Sequence, residues 1–342
     1  MAGFVAFLAR RAINAVITII LMMLMIFVLV HIVAPNPIAM ARLVAPNPRA
    51  SIGVLETIAR NHGFYDPIYT QFFNYVKQVF TGNLGTDLLY GVPEIFEIER
   101  FLPISFEMVL AGSILGVIIG LYTGAIAAGN RGTAVDYGVK GLYLVTWAAP
   151  IFVLGVLVQL VFAFWLNLLP ASGIANPLLP PPPSITSFPI LDGLLVGDWT
   201  YTYSLLQHMI LPALTLGIAS FGVVTRLTRA TMVDALDKDY VKLAYMKGLS
   251  KSKVVYGTAL RNAMIPIITL IALIFGTAVG GAVVIEDLFN YRGLGYFAVV
   301  SVYNLDYPAI LGITIILGIS VIAANFIADV LYGVIDPRVR IT

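Results

Sequence analysis

Six stretches of the chain are apolar enough, and long enough, to cross a lipid bilayer as helices. They lie near 11–33, 104–128, 138–166, 206–225, 264–285 and 309–332. A spanning helix needs about 20 mainly apolar residues, because hydrocarbon offers the backbone no water and a helix satisfies its own N–H and C=O groups. Hydrophobic residues make up 59% of the 342 residues and charged residues 11%, whereas soluble domains are nearly half apolar and about a quarter charged. The expected fold is an all-α membrane protein with six transmembrane helices in one body. A net charge of +2 gives no electrostatic footprint for nucleic acid.

The spans divide the chain. Residues 1–33 form an N-terminal segment and first span, 34–102 an insertion outside the membrane, and 103–342 the core. Arg10 and Arg11 precede an apolar run from Ala12 to Val33 that is longer than a signal peptide's and ends in Ala34-Pro35-Asn36-Pro37, so the expectation is a retained span. The loop at about 167–205 carries Pro180-Pro181-Pro182-Pro183, an extended spacer in polyproline geometry. With the N-terminus in the cytoplasm, fourteen of the twenty Lys and Arg residues fall on that side and six on the other. The positive-inside rule then puts both termini in the cytoplasm of a plasma-membrane protein.

Residues 239–254, DYVKLAYMKGLSKSKV, carry four lysines in an otherwise greasy chain. From Arg226 to Arg261 there are eight basic residues and three acidic ones, Asp234, Asp237 and Asp239. Val241, Ala244 and Tyr245 share a helical face that Leu249 continues, and Gly248 followed by Ser250 reads as a helix stop and a new N-cap. Two readings fit this pattern: a basic loop resting on anionic headgroups, and short amphipathic helices around 232–250 that dock a soluble partner.

The motifs in order resemble those of a known family. Asp239-Tyr240-Val241, Ala244, Lys247-Gly248-Leu249-Ser250, Ala259-Leu260-Arg261-Asn262-Ala263 and Ile265-Pro266 are similar to the coupling-helix motif of permeases in binding-protein-dependent ABC importers. The first permease of the dipeptide, oligopeptide and nickel branch is the narrower resemblance. Lys242 and Leu243 stand where the motif's name-giving Glu-Ala begins. Gly63-Phe64-Tyr65-Asp66-Pro67, Gly82-Asn83-Leu84-Gly85, Gly280 to Glu286, Gly293-Leu294-Gly295, Asp306-Tyr307-Pro308 and the ending Asp329 to Arg338 extend the likeness along the whole chain.

The resemblance implies a type I ABC importer permease fold, a second homologous permease, two cytoplasmic ATPases and an external solute-binding protein. It implies ATPase coupling through Asp239, Tyr240, Val241, Ala244, Lys247, Gly248, Leu249 and Ser250. It also implies a loop reaching toward the binding protein, formed by Asp287, Phe289, Asn290, Tyr291 and Arg292. Peptide is the cargo implied first, with oligosaccharide, nickel or another small solute as alternatives. ATP and magnesium would belong to the partner ATPases, and no cofactor to this chain.

Other residues read more simply. Glu107 is expected in the first turn of the second span, with a structural role, and Asp329 is placed to pair with a basic residue. Gly276 and Gly280 have the spacing of close helix packing. His31, His62 and His208 form no metal-ligand pattern, and cysteine is absent. No G-x-x-x-x-G-K-[ST], H-E-x-x-H or complete G-x-S-x-G occurs, so no enzyme signature is evident. An ion-coupled secondary transporter is the alternative of another class, and it predicts charges at mid-membrane. The central thirds of all six spans contain no Lys, Arg, Asp or Glu.

Overall fold

The computed structural model describes residues 2–47, 49–88 and 91–335. Among them the fold is helical, and its only β-pairing is an isolated bridge between Thr86 and Pro93. Four helices are long and apolar enough to cross a membrane unbroken: α1 (Ala2–Val33), α5 (Glu94–Gly129), α9 (Trp199–Leu236) and α13 (Tyr307–Ile335). Two bent pairs raise the number of spans to six.

The third span is broken where the sequence reading expected one run over 138–166. α6 (Ala134–Ala148) and α7 (Ile151–Val158, continued by a π-helical turn through Trp165) meet at 107°. Pro150 causes the break: proline lacks an N–H and drives the preceding residue out of the helical region, and Ala149 is extended with ψ 131°. The fifth span likewise bends by 62° between Lys253–Met264 and Pro266–Phe275, within the run formed by a π-helical turn (Lys253–Ala259) and α11 (Leu260–Leu288). Gly276, Gly280 and Gly281 sit in α11, but their surroundings lie outside the described residues.

The boundary expected at 102/103 falls inside a helix. α5 starts at Glu94, after Pro93, with Glu94 and Glu97 in its first turn. Its 36 residues extend about 54 Å at 1.5 Å each, well beyond about 30 Å of hydrocarbon. Glu107 is therefore more than three turns into the helix, not in its first turn. Its carboxylate accepts the Ile190 N–H at 3.2 Å, at the start of α8 (Pro189–Val196).

Within the insertion, α2 (Pro37–Val44) and α3 (Ile52–Asn61) close over Ala41, Ala45, Leu55 and Ala59. Asn36 caps α2, its Oδ1 accepting the Ala39 N–H at 2.8 Å. α4 (Ile68–Phe80) leans on the end of α1.

The centre of the bundle is the seam between α5 and α9. Gly112, Gly116, Gly120 and Gly124 form one ridge of α5. A Cβ on Gly112 would lie 2.8 Å from the Ala213 carbonyl, one on Gly116 2.7 Å from that of Gly217, and one on Gly124 2.8 Å from that of Thr225. Backbone meets backbone because no side chain intervenes, the device by which helices associate where lipid supplies no hydrophobic drive. Thr123 and Thr225 join their hydroxyls across the seam at 2.8 Å. α1 lies at the edge, exposing Ile13, Leu21, Met25, Leu29 and Ile32, and Arg11 pairs with Asp329 of α13 at 3.1 Å.

Candidate functional site: a short helix anchored at one end of the bundle

The basic segment folds into α10 (Asp239–Met246) and the π-helical turn after it. Asp239 begins α10 and bonds Lys242 at 2.8 Å one turn on. The Lys242 ammonium draws the Asp239 carboxyl below its usual range, and Lys242 is raised in turn. Lys247 ends the helix. Gly248 then adopts φ +75°, its N–H bonding the Tyr245 carbonyl at 2.9 Å while the Leu249 N–H bonds that of Ala244 at 3.3 Å. This pair of bonds is a Schellman stop, and its left-handed residue suits glycine. The Ser250 carbonyl next accepts the Val254 N–H at 3.0 Å, so the chain re-enters a helix at once.

The faces of α10 divide differently from the sequence expectation. Val241 (2% exposed) and Ala244 are buried among Ala125, Met232, Ala235, Val254 and Val255, so these two residues hold α10 to its own chain. Met246 (84% exposed), Leu243 (51%) and Tyr240 point outward, with Tyr245, Lys247, Gly248, Leu249 and Ser250 also exposed. Beside α10 a cleft of about 210 Å³ opens between Gly129, Arg131, Leu236, Asp237 and Tyr245.

A buried ion pair underlies this end. The side chain of Asp136 is fully buried, accepting Arg229 Nε at 2.6 Å and Nη2 at 2.9 Å, the Gly132 N–H at 3.0 Å and Lys140 at 3.0 Å. A bidentate fork of this kind fixes angle as well as distance. It ties the α5–α6 turn to α9, while Arg131 pairs with Asp237 at 3.2 Å and Lys251 bonds Asn130 at 3.1 Å. Asp136 and Arg229 were not singled out from the sequence, because residues 93 positions apart give no local signal.

At the other end of α11 the loop expected to face a binding protein is split. Phe289 and Tyr291 are buried with Ile104, Met108, Leu211 and Ile285, so neither is available to an external protein. Burial pushes the Tyr291 phenol well above its usual range. Asp287, Asn290 and Arg292 are exposed, with Asn290 at φ +47°. The Phe289 carbonyl accepts the Gly173 N–H at 2.9 Å, pinning this loop to the one before α8. Among the described residues, no group of three or more His, Asp or Glu is placed to hold a metal ion.

The fold defines a helical multi-span membrane protein, with broken and unbroken spans and one short exposed helix anchored at one end of the bundle. Residues 104–341 match the family described as binding-protein-dependent transport system inner membrane component, and residues 4–88 match the N-terminal region of such membrane components. The chain belongs to this family, and has the permease fold of a type I ABC importer. It is a multi-pass transport component rather than an ATPase.

The probable D,D-dipeptide transport system permease protein DdpB of Escherichia coli (strain K12) is 34% identical over 336 residues, 98% of each chain. The di/tripeptide transport system permease protein DppB of Pseudomonas aeruginosa (strain UCBPP-PA14) is 34% identical over 338 residues, again 98% of each. A solved chain of the MetNI methionine ABC transporter, in inward-facing conformations, has a TM-score of 0.48 at 12% identity, covering 68% of this chain and 95% of that one.

Proposed function

We propose that this chain carries di- and oligopeptides into the cytoplasm as one of two homologous permeases, with two cytoplasmic ATPases bound at α10 and a solute-binding protein at the opposite face. The observation that carries the coupling role is the division of α10. Val241 and Ala244 fasten the helix to its own bundle, while Tyr240, Leu243 and Met246 stand free beside Lys247. Such a helix moves as one body with α5 and α9 when pushed. The peptide cargo rests on the relatives, which are named for dipeptides and di/tripeptides. Both termini and α10 lie in the cytoplasm, following the distribution of Lys and Arg.

ATP and magnesium belong to the partner ATPases in this reading, and the chain needs no cofactor of its own. Closure of the ATPases on ATP moves both permeases' α10 helices and turns the path outward. Import requires that ATP and the loaded binding protein favour the same state of the permease. Of the five residues expected in the loop toward the binding protein, Asp287, Asn290 and Arg292 are the exposed ones and meet it in this reading.

Uptake of a labelled dipeptide by cells carrying Lys247→Glu with Gly248→Pro tests the coupling. Proline cannot adopt the φ of +75° found at 248, so uptake is lost while the chain stays in the membrane. Unchanged uptake would overturn the role of α10. Uptake of an oligosaccharide, with no short peptide transported or competing, would overturn the cargo.

A further inference from the structure

α4 presents three different faces. Gln71, Phe72 and Tyr75 turn toward α1: the Phe27 and Phe72 ring centroids are 5.3 Å apart, those of Phe27 and Tyr75 6.0 Å, and His31 Nε2 lies 3.2 Å from Gln71 Oε1. About a third of a turn further round, at about 100° per residue, come Tyr69 (74% exposed), Phe73 (69%) and Phe80 (64%), with Val76 between them. The remaining sector holds Asn74, Lys77 and Gln78. A helix with one face on protein, one on water and a third made of uncovered aromatics lacks a neighbour for that third face.

The height of α4 identifies the neighbour. Arg11, paired with Asp329, marks one boundary of the hydrocarbon on α1. About 20 residues span the hydrocarbon, and that count from Arg11 reaches His31, where α4 is attached. α4 thus meets α1 at the level of the other headgroup layer, where aromatic side chains concentrate. At the same level α1 leaves Leu29, Ile32 and Val33 exposed, an apolar surface of its own that suits lipid. Lys77 flanks the stripe with a stem long enough to return its ammonium to water.

We propose that α4 lies in the membrane interface, with Tyr69, Phe73 and Phe80 immersed between headgroups and acyl chains and Asn74 and Gln78 facing water. The partner of this surface is the lipid itself. The insertion is then held at a fixed height by lipid as well as by α1, and this holds whatever the cargo.

The absence of cysteine from the chain makes the test direct. Single variants Phe73→Cys and Asn74→Cys of the full chain, in lipid nanodiscs, take a nitroxide label without background sites. Collisions are then measured with oxygen, which concentrates in lipid, and with a water-soluble nickel chelate. The expected result is oxygen access with nickel exclusion at 73, and nickel access at 74. Tyr69→Cys and Phe80→Cys repeat the measurement should label 73 disturb the helix. Nickel reaching 73 as readily as 74 would overturn the proposal, as would exclusion of both reagents from 73, which means a protein cover, or lipid immersion of 74.

Discussion

Ser105 Oγ donates a 2.5 Å hydrogen bond to Glu286 Oε1, across 181 residues of sequence. The same Ser105 oxygen accepts the Leu294 N–H at 2.7 Å, and Glu286 Oε2 accepts those of Gly295 and Tyr296 at 2.8 and 3.0 Å. Two buried side chains thus supply acceptors to the first N–H groups of α12 (Leu294–Tyr303), which have no partner within the helix. α5, the end of α11 and α12 meet at this point. A Cβ on Gly295 would come 2.5 Å from the Val283 Cα, so the approach needs glycine.

Removing the carboxylate leaves buried donors unpaired, at about 1–3 kcal/mol each. Glu286→Ala is expected to lower the thermal midpoint of the purified chain in detergent by several degrees. Glu286→Gln keeps an oxygen for the two α12 donors and is expected to fall between alanine and wild type. Equal midpoints for all three proteins would show that α12 is positioned without this contact.

The Asp136–Arg229 fork leads to a prediction with two parts. Breaking a buried pair from one side strands the other charge, at about 3–5 kcal/mol, whereas replacing both partners by apolar residues is often close to neutral. Asp136→Asn and Arg229→Met are each expected to destabilise strongly, and Asp136→Leu with Arg229→Met to recover most of the loss. A thermal double-mutant comparison reads this directly, and strictly additive losses would contradict it.

Tyr75 ties the packing of α4 to pH. Its hydroxyl is buried without a hydrogen-bond partner, and burial pushes the phenol up to about 12 from an ordinary value near 10. The docked state has the raised value, so its stabilising contribution is complete below about pH 10 and is lost as pH climbs toward 12. Tyr75→Phe should abolish that alkaline loss. It should also gain about 1 kcal/mol at neutral pH, because a buried hydroxyl without a partner is costly. Thermal midpoints of both proteins against pH give the comparison, and a parallel alkaline decline in the phenylalanine variant would exclude Tyr75 as the source.

Periodicity identified the spans and the α10 helix, because hydrophobic length and the Gly248 stop are local properties. It grouped Val241 with Ala244 correctly, but spacing says which residues share a face and not what that face meets. Val241 and Ala244 turned to the chain's own interior, leaving Tyr245 and Leu249, expected on the same face, outside with Leu243 and Met246. Phe289 and Tyr291 went the same way, since an aromatic in a loop reads alike whether it covers a core or awaits a partner. The Gly112, Gly116, Gly120 and Gly124 series was visible in the sequence at strict four-residue spacing and was a stronger packing signal than Gly276 and Gly280. Pro150 was equally visible, but an apolar run on both sides concealed the break it imposes. Contacts such as Ser105–Glu286 and Asp136–Arg229 depend on which helices become neighbours, which local pattern does not encode.

The division of α10 separates docking from anchoring by experiment. Leu243→Glu and Met246→Glu place charge on side chains already in solvent, where substitutions usually change stability by less than about 0.5 kcal/mol. Val241→Asp puts a carboxylate at a site that is 2% exposed among Met232, Val254 and Val255, with no cation in that apolar cluster to pair with it. The first two variants are expected to keep the thermal midpoint and to lose ATP-driven uptake, because they spoil only what a partner touches. Val241→Asp is expected to lose several degrees of midpoint together with uptake, because it releases α10 from the bundle. Normal uptake with Leu243→Glu and Met246→Glu combined would mean that the outward face of α10 is not gripped. Coupling would then have to pass through the cleft beside Arg131 and Asp237.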